Sequence, residues 1–324
     1  MVAAQAQLEV LDLRHFSAAA LRPLLQEEAA RWERRLLWDY SGSIELLLQY
    51  VNSRSLTGYV ALRHGRVAGY TFGVCEAAKA VMGDLYAFGE GEQLRNPVCE
   101  LLLGHLIETL QATPGIDRIE SQLLLFPDGA LRDVFDAQGF RSYPRCFMLR
   151  DLAATTSQRA SRPLPAALHI ERWRAEAYPK AAALIQEAYL GHTDAEINDQ
   201  YRTFGGAQRF LHNIMHFPGC GVFDPENSWI LRDDQTGQVE GLALCSRVRG
   251  DAAHITQLCV RSSLRGRGLG AVLLRHCLAE LAQSGLGTVS LTVTARNEPA
   301  MALYKREGFR VLHSFEAWVW EKGR

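Results

Sequence analysis

No apolar run in this 324-residue chain approaches the length needed to span a bilayer, so no transmembrane helix is expected. Charge of one sign is also missing. Lys and Arg number 35 against 36 Asp and Glu, and the formal net charge of −1 provides no basic field for nucleic acid or an anionic membrane. The first residues, MVAAQAQLEV, contain no basic segment leading into an apolar one, so a cytoplasmic protein is expected. Seven cysteines, at 75, 99, 146, 220, 245, 259 and 277, form no Cys-x-x-Cys pair. An odd count spread through apolar patterns excludes a disulfide framework and points to small buried hydrophobes in a reducing compartment. No metal is expected.

What is present centres on His254 to Gly270, HITQLCVRSSLRGRGLG. A strand pattern through Val260 runs into a polar, basic loop ending Arg265-Gly266-Arg267-Gly268-Leu269-Gly270. A helical pattern starts at Ala271, with Leu273, Leu274, Cys277, Leu278 and Leu281 on one face. Strand, glycine loop and helix start are the arrangement in which free backbone N–H groups meet an anion. Residues 265–271 are therefore expected to bind a phosphate or pyrophosphate. A Walker A loop is excluded because Gly270 is followed by Ala-Val-Leu. The spacing G-x-G-x-G also misses the dinucleotide fingerprint G-x-G-x-x-G.

Arg-x-x-Gly-x-Gly after a strand ending in Val resembles the pyrophosphate loop of the GNAT acetyltransferase superfamily. Downstream, Leu291 to Asn297, then Ala300 to Tyr304, then Glu307-Gly308-Phe309, resemble that family's second motif of strand, Asn, helix with a Tyr, and Gly-Phe. The resemblance implies an α/β protein with an α+β mixed sheet. The chain as a whole implies two tandem GNAT-fold acyl-CoA N-acyltransferase domains. From Ala153 to Leu168 the composition turns small and proline-containing, which reads as a linker. After it the order of elements begins again. Laying Gly139-Phe140 over Gly308-Phe309 gives an offset of 308 − 139 = 169 and puts Phe135 where Tyr304 stands. The expected division is a degenerate unit at 1–152, a linker at 153–168 and a cofactor-binding unit at 169–324. The first unit's counterpart loop, Gly89 to Asn96, carries Glu90 and Glu92, which would repel a pyrophosphate.

The family resemblance implies acetyl transfer from acetyl-CoA, as cosubstrate, to an amine. Leu258, Cys259 and Val260 fall where the family's fourth strand splays and offers backbone groups to the pantetheine arm. Together with Arg265 to Ala271, Asn297 and Tyr304 they form the expected cofactor set. Cys259 reads as an apolar filler or as a nucleophile. Asn297 reads as a helix cap, as a cofactor contact, or as both. Tyr304 matches the family's acid position, where a phenol would hydrogen-bond or protonate the leaving thiolate; the alternative is a core tyrosine. The base is where the sequence departs from the pattern. Relatives of the ribosomal-protein N-acetyltransferase type carry a Glu where Thr292 stands here. His254, early on the preceding strand, is the other candidate, against a purely structural His. Strand alternation puts His254, Thr256, Leu258 and Val260 on one face. The segment Gly191 to Tyr201 is expected on the acceptor side. There Asp194, Glu196 and Asp199 could hold a cationic amine and His192 could serve as an alternative base, unless the stretch is a solvated loop. His192, Asp194, Glu196 and Thr292 are the candidate substrate contacts. The expected activity is acetylation of a small-molecule primary amine. Acetylation of a protein N-terminus and a non-catalytic acetyl-CoA-sensing module are the alternatives, and a homodimer is the expected assembly if one forms.

Overall fold

The computed structural model describes residues 8–89, 96–153, 163–217 and 219–323. The chain forms two compact units. The first holds Met1–Pro144 and Ser314–Arg324, and the second holds Arg145–His313. This differs from the division at 152 and 169 expected from the sequence, because strands are grouped by pairing rather than by chain order. The loop at 90–95 and the linker residues 154–162, on which two of the sequence expectations rest, lie outside the described residues.

In the first unit, β1 (Leu8–Asp12), β2 (Thr57–Arg63), β3 (Arg66–Glu76), β4 (Lys79–Ala87) and β5 (Arg118–Gln122) form a sheet in that order, with Ser314–Glu321 of β13 (Arg310–Glu321) beside β5. Only β4 and β5 are parallel; the other pairs are antiparallel. The helices are α1 (Ala18–Leu36), α2 (Ser41–Asn52), α3 (Pro97–Ala112) and α4 (Arg132–Ala137). Val98, Leu102, Leu106 and Leu110, at helical spacing along α3, bury themselves with Ile119, Phe135 and Trp318.

The second unit repeats the plan. Arg145–Asp151 of β6 (Arg141–Asp151) pairs with β12 (Thr288–Thr294). β11 (Ala252–Val260), β10 (Val239–Arg249), β9 (Trp229–Asp233) and β7 (Leu168–Arg172) follow in order, with the short β8 (Val222–Phe223) on β10. Here β11 and β12 are the parallel pair. One sheet face packs under α8 (Leu269–Gln283) and α9 (Glu298–Arg306), through Leu273, Leu274, Cys277 and Leu281 on Val289, Leu291, Val293 and Ile255. The other face packs under α5 (Tyr178–Tyr189) and α7 (Phe204–His216), through Ala181, Leu184, Ile185 and Leu211 on Leu242, Leu244 and Cys259. Residues 194–216 do not form one continuous helix. α6 (Asp194–Ile197) and a 3₁₀ turn at Asp199–Tyr201 precede α7, because the Thr203 side chain accepts from the Gly206 N–H and starts a new helix there.

The two units share a local irregularity. On β11, Cys245↔Ile255 is followed by Leu244↔Gln257, so Thr256 is an extra residue. On β4, Gly73↔Met82 is followed by Phe72↔Asp84, so Gly83 is extra. A Cβ at Gly83 would stand 2.1 Å from a ring carbon of Phe72, so a larger residue there would require the Phe72 ring to move. Asp84 and Gln257 thus correspond. Each is met by a tyrosine hydroxyl, from Tyr40 at 3.2 Å and from Tyr201 at 3.3 Å. Each tyrosine lies flat on another ring, Tyr40 on Trp32 at 4.4 Å and Tyr201 on Tyr189 at 4.2 Å. A duplicated domain accounts for this repeated bulge and stack more simply than two separate origins.

Candidate active site

Parallel pairing of β11 with β12 runs from Ala252↔Thr288 to Ile255↔Leu291. The strands continue to Val260 and Thr294 without further register pairs between them. The Thr256 bulge bends β11 just where pairing ends. A splay therefore opens beside Leu258, Cys259 and Val260, with backbone groups available to an extended amide chain.

The glycine loop lies at the end of this splay. Arg261 fixes its start. Its backbone N–H donates to the Glu240 carbonyl at 2.8 Å, and its guanidinium pairs with the carboxylates of Glu240, at 2.5 Å, and Glu187. Ser262–Leu264 make a 3₁₀ turn. Gly266 and Gly268 then take φ of +75° and +83°, the left-handed region that favours glycine. No Cβ clash forbids a side chain at either position; the backbone conformation is the constraint. Gly268 caps α8 with no side-chain hydrogen bond, and no acidic residue occupies the first turn. The backbone N–H groups of 266–270 have no acceptor among the described residues. Five consecutive donors beside a helix N-terminus form an anion cradle. The two arginines differ. Arg265 is tied to the Ala188 carbonyl, whereas Arg267 is exposed and has no ion-pair partner among the described residues.

Tyr304, on α9, is 8% exposed, and its ring packs edge-on against Phe309 at 5.8 Å. Its hydroxyl has no hydrogen-bond partner among the described residues. Burial first, then the Asp194 carboxylate and Cys259, push the phenol above its ordinary pKa, so it holds its proton at neutral pH. Asn297 caps α9 by accepting from the Ala300 N–H at 3.3 Å, and its amide nitrogen also lies 3.3 Å from His192 Nε2. His192 Nδ1 accepts from the Asp194 N–H at 3.1 Å. The Asp194 carboxylate in turn accepts from the Thr294 hydroxyl. His192, Asp194, Asn297, Thr294 and Tyr304 are thereby gathered from three separate stretches of sequence. Glu196 is exposed.

The bulge also decides the faces of β11, and the structure corrects the simple alternation expected from the sequence. Ile255 and Leu258 face the core beneath α8, while Cys259 faces α5 and α7. His254 and Gln257 are on the α5 and α7 side, and Leu258 is not on the same face as His254. His254 is 4% exposed, with Nδ1 2.8 Å from Ser290 Oγ and its ring stacked on Phe147 at 5.9 Å. Burial, aided by the Arg145 charge, pushes it down to about 3. An imidazole so placed stays neutral at pH 7 and is a poor proton acceptor, which removes the reason for expecting it as the base. Burial likewise pushes the Cys259 thiol up to about 12, which leaves little thiolate to act as a nucleophile.

Sequence reasoning missed Arg145, Tyr189, Tyr201 and Gln257. Arg145 donates to Thr292 Oγ at 3.3 Å and comes from β6, outside the stretch 169–324. The tyrosines carried only an ordinary aromatic signal. In the first unit the described end of the corresponding loop, from Asn96 on, offers fewer donors. Asn96 caps α3 by accepting from the Val98 N–H at 3.0 Å, Pro97 lacks an N–H, and Glu100 occupies the first turn. Phe135, in place of Tyr304, is fully buried and stacked on Trp318 at 4.7 Å. Among the described residues no group of three or more His, Cys, Asp or Glu could hold a metal ion, and no helix is long and apolar enough to cross a membrane.

Residues 171–309 match the model of the Acetyltransferase (GNAT) family. Mycothiol acetyltransferase from Clavibacter michiganensis is 34% identical over 149 residues, which cover 46% of this chain and 44% of that protein. The chain thus spans less than half the length of this curated relative. A solved structure of a GCN5-related N-acetyltransferase from Sphaerobacter thermophilus shares the fold with a TM-score of 0.65 at 16% identity, over 97% of this chain and 95% of that one. A tandem GNAT protein from the clavulanic acid biosynthesis pathway aligns with a TM-score of 0.57 at 16% identity, over 98% and 99% of the two chains. At these identities the structural likeness concerns the fold alone.

Proposed function

Through residues 171–309 the chain belongs to the GNAT acetyltransferase superfamily, and from that premise we propose that it transfers the acetyl group of acetyl-CoA directly to a primary amine of a small molecule. The observation that carries the reading is the row of five acceptor-free N–H groups at 266–270, placed at the end of the β11–β12 splay. Pyrophosphate oxygens satisfy such a row. The backbone edge of 257–260 holds the pantetheine amides and polarises the thioester carbonyl. Tyr304 supplies a proton to the departing sulfur, the task that a protonated phenol without a competing protein partner is suited to. His192, partly buried, receives at Nδ1 the proton that the ammonium must lose before attack, giving up its hydrogen bond from the Asp194 N–H and turning that N–H edge to the Asp194 carboxylate 3.7 Å away. His254 buttresses the sheet face as a neutral group. No acyl-cysteine is needed, because a thioester is already activated and Cys259 remains a thiol. All seven cysteines are free, which fits a reducing cytoplasm.

The test is calorimetric titration of acetyl-CoA, followed by CoA release with an amine panel, in the native chain and in Tyr304→Phe. The expected result is unchanged acetyl-CoA affinity and a turnover loss of about a hundredfold or more, the usual weight of general acid catalysis. Binding without turnover of any amine would favour a sensing module, and turnover confined to peptide N-termini would favour the protein-directed alternative. Absence of acetyl-CoA binding would overturn the reading.

A further inference from the structure

Two thiols meet in the core of the second unit. Cys245 is on β10 and Cys277 on α8, and neither has any exposed surface. Their Sγ atoms are 3.4 Å apart. All seven cysteines are free, and among the described residues no other two of them are in contact. The strand side of the pair is held from below: the Cys245 N–H donates to Ser228 Oγ at 3.0 Å, and its carbonyl accepts from the Asp224 N–H at 2.9 Å. The helix side is held by Leu273, Leu274, Leu278 and Leu281, buried in the same cluster as both cysteines. At the matching register position the first unit has Gly73, so the pair is not part of the repeated plan. A disulfide needs the sulfurs at about 2.05 Å, an approach of about 1.4 Å from their present contact.

We propose that Cys245 and Cys277 are a modification site, a buried dithiol that hydrogen peroxide converts to an internal disulfide, tying α8 to β10. One thiol takes an oxygen from the peroxide and becomes a sulfenic acid, and one water leaves. The second thiol, 3.4 Å away, attacks that sulfur. The S–S bond forms as the S–O bond breaks, and the thiol proton departs with the hydroxyl as a second water. Two thiols have then given up two electrons, and one peroxide has been reduced to two waters. Contact decides the outcome, because a sulfenic acid with no thiol beside it meets a second peroxide and passes to the irreversible sulfinic acid. The hydrogen bond from Cys277, and then burial, hold the Cys245 thiol well above its ordinary pKa, so thiolate is scarce and the reaction is slow. Neither sulfur touches solvent, so the peroxide enters through local opening around α8. The new bond closes a loop of 277 − 245 = 32 residues. Such a crosslink stabilises mainly by restricting the unfolded chain. It thereby strengthens the unit whose α8 begins at the glycine loop.

The experiment uses the full chain carrying Cys75→Ser and Cys220→Ser, which removes the two exposed thiols and leaves 7 − 2 = 5. The folded protein is incubated with hydrogen peroxide at a concentration that oxidises the exposed thiols of the native chain. It is then quenched, unfolded in an alkylating agent and measured by intact mass and peptide mapping. The expected result is two of the five thiols withheld from alkylation, a peptide joining Cys245 to Cys277, and full reversal by dithiothreitol. The melting temperature of the oxidised form should rise by about 5 °C or more. Cys277→Ala in the same background should form no crosslink and leave Cys245 as the sulfinic acid, and Cys245→Ala should do the reciprocal. Five thiols still open to alkylation after peroxide would overturn the proposal. So would a crosslink through any other cysteine, sulfinic acid at Cys245 or Cys277 while both are present, or a disulfide that lowers the melting temperature.

Discussion

Replacing Gly268 by alanine tests the anion cradle with the smallest possible change. At φ +83° the residue occupies left-handed backbone, and a Cβ there would meet nothing within 4 Å. The cost is therefore conformational, about 1–2 kcal/mol for an L-residue held in that region. Two responses are available. If the loop keeps its shape, thermal unfolding falls by about 2–4 °C per kcal/mol for a domain of this size class. If it relaxes toward negative φ, the N–H groups of 267–269 turn away from the anion. Each hydrogen bond to a charged acceptor contributes about 1.5–3 kcal/mol, so losing two weakens acetyl-CoA binding roughly a hundredfold or more. Gly104 supplies the contrast. It lies in the middle of α3 with nothing within 4 Å of a built Cβ, and Gly104→Ala should stabilise by about 0.5–1 kcal/mol. The assay is calorimetric titration of acetyl-CoA together with thermal unfolding of all three proteins. An unchanged dissociation constant together with an unchanged melting temperature in Gly268→Ala would refute the reasoning, because neither the strain nor the cradle would then exist.

Further expectations follow from other parts of the chain. Arg261→Ala strips Glu240 and Glu187 of their shared partner and loosens the start of the loop; stability should fall by about 1.5–3 kcal/mol and acetyl-CoA affinity by about tenfold, and unchanged titration and melting would count against Arg261 as the anchor. Glu28 is fully buried beside Asp84; burial raises both carboxyls, and the Asp84 carboxylate raises Glu28 further while the hydrogen bond with Glu28 holds Asp84 back. Such groups stabilise fully below the ordinary carboxylate pKa and lose that contribution as pH rises through the raised folded value, at about 1.4 kcal/mol per pH unit for one proton. Glu28→Gln should therefore flatten the fall in stability as pH rises above the ordinary carboxylate range, measured by denaturant unfolding, and parallel pH curves for the two proteins would refute this account of Glu28. A fragment spanning 169–324 lacks the β6 residues that pair along β12, and its last strand is deprived of β5; it should aggregate on size exclusion, and a soluble fragment with cooperative melting would contradict that.

The cradle was legible in the sequence because its determinants are local. Two glycines that tolerate positive φ, the absence of a capping side chain and the start of an apolar helix all fall within seven residues, 265–271, and each acts on its own backbone. The helix that carries Tyr304 and its Asn297 cap were legible for the same reason, since both lie within one short motif. The acidic loop from which the first unit was expected to repel a pyrophosphate falls outside the described residues; what is visible beyond it is the Asn96 cap with Pro97. What the sequence could not decide depends on partners far along the chain. Alternation along β11 misplaced His254 relative to Leu258, because a bulge exists only when two residues of one strand oppose one residue of another, and that count requires β10. Arg145 looked like part of the first unit, because order along the chain does not reveal which sheet a strand joins. Local chemistry wrote the glycine loop into the sequence; pairing and burial, which couple residues a hundred or more positions apart, chose which polar groups meet around Asp194 and that His254 is buried.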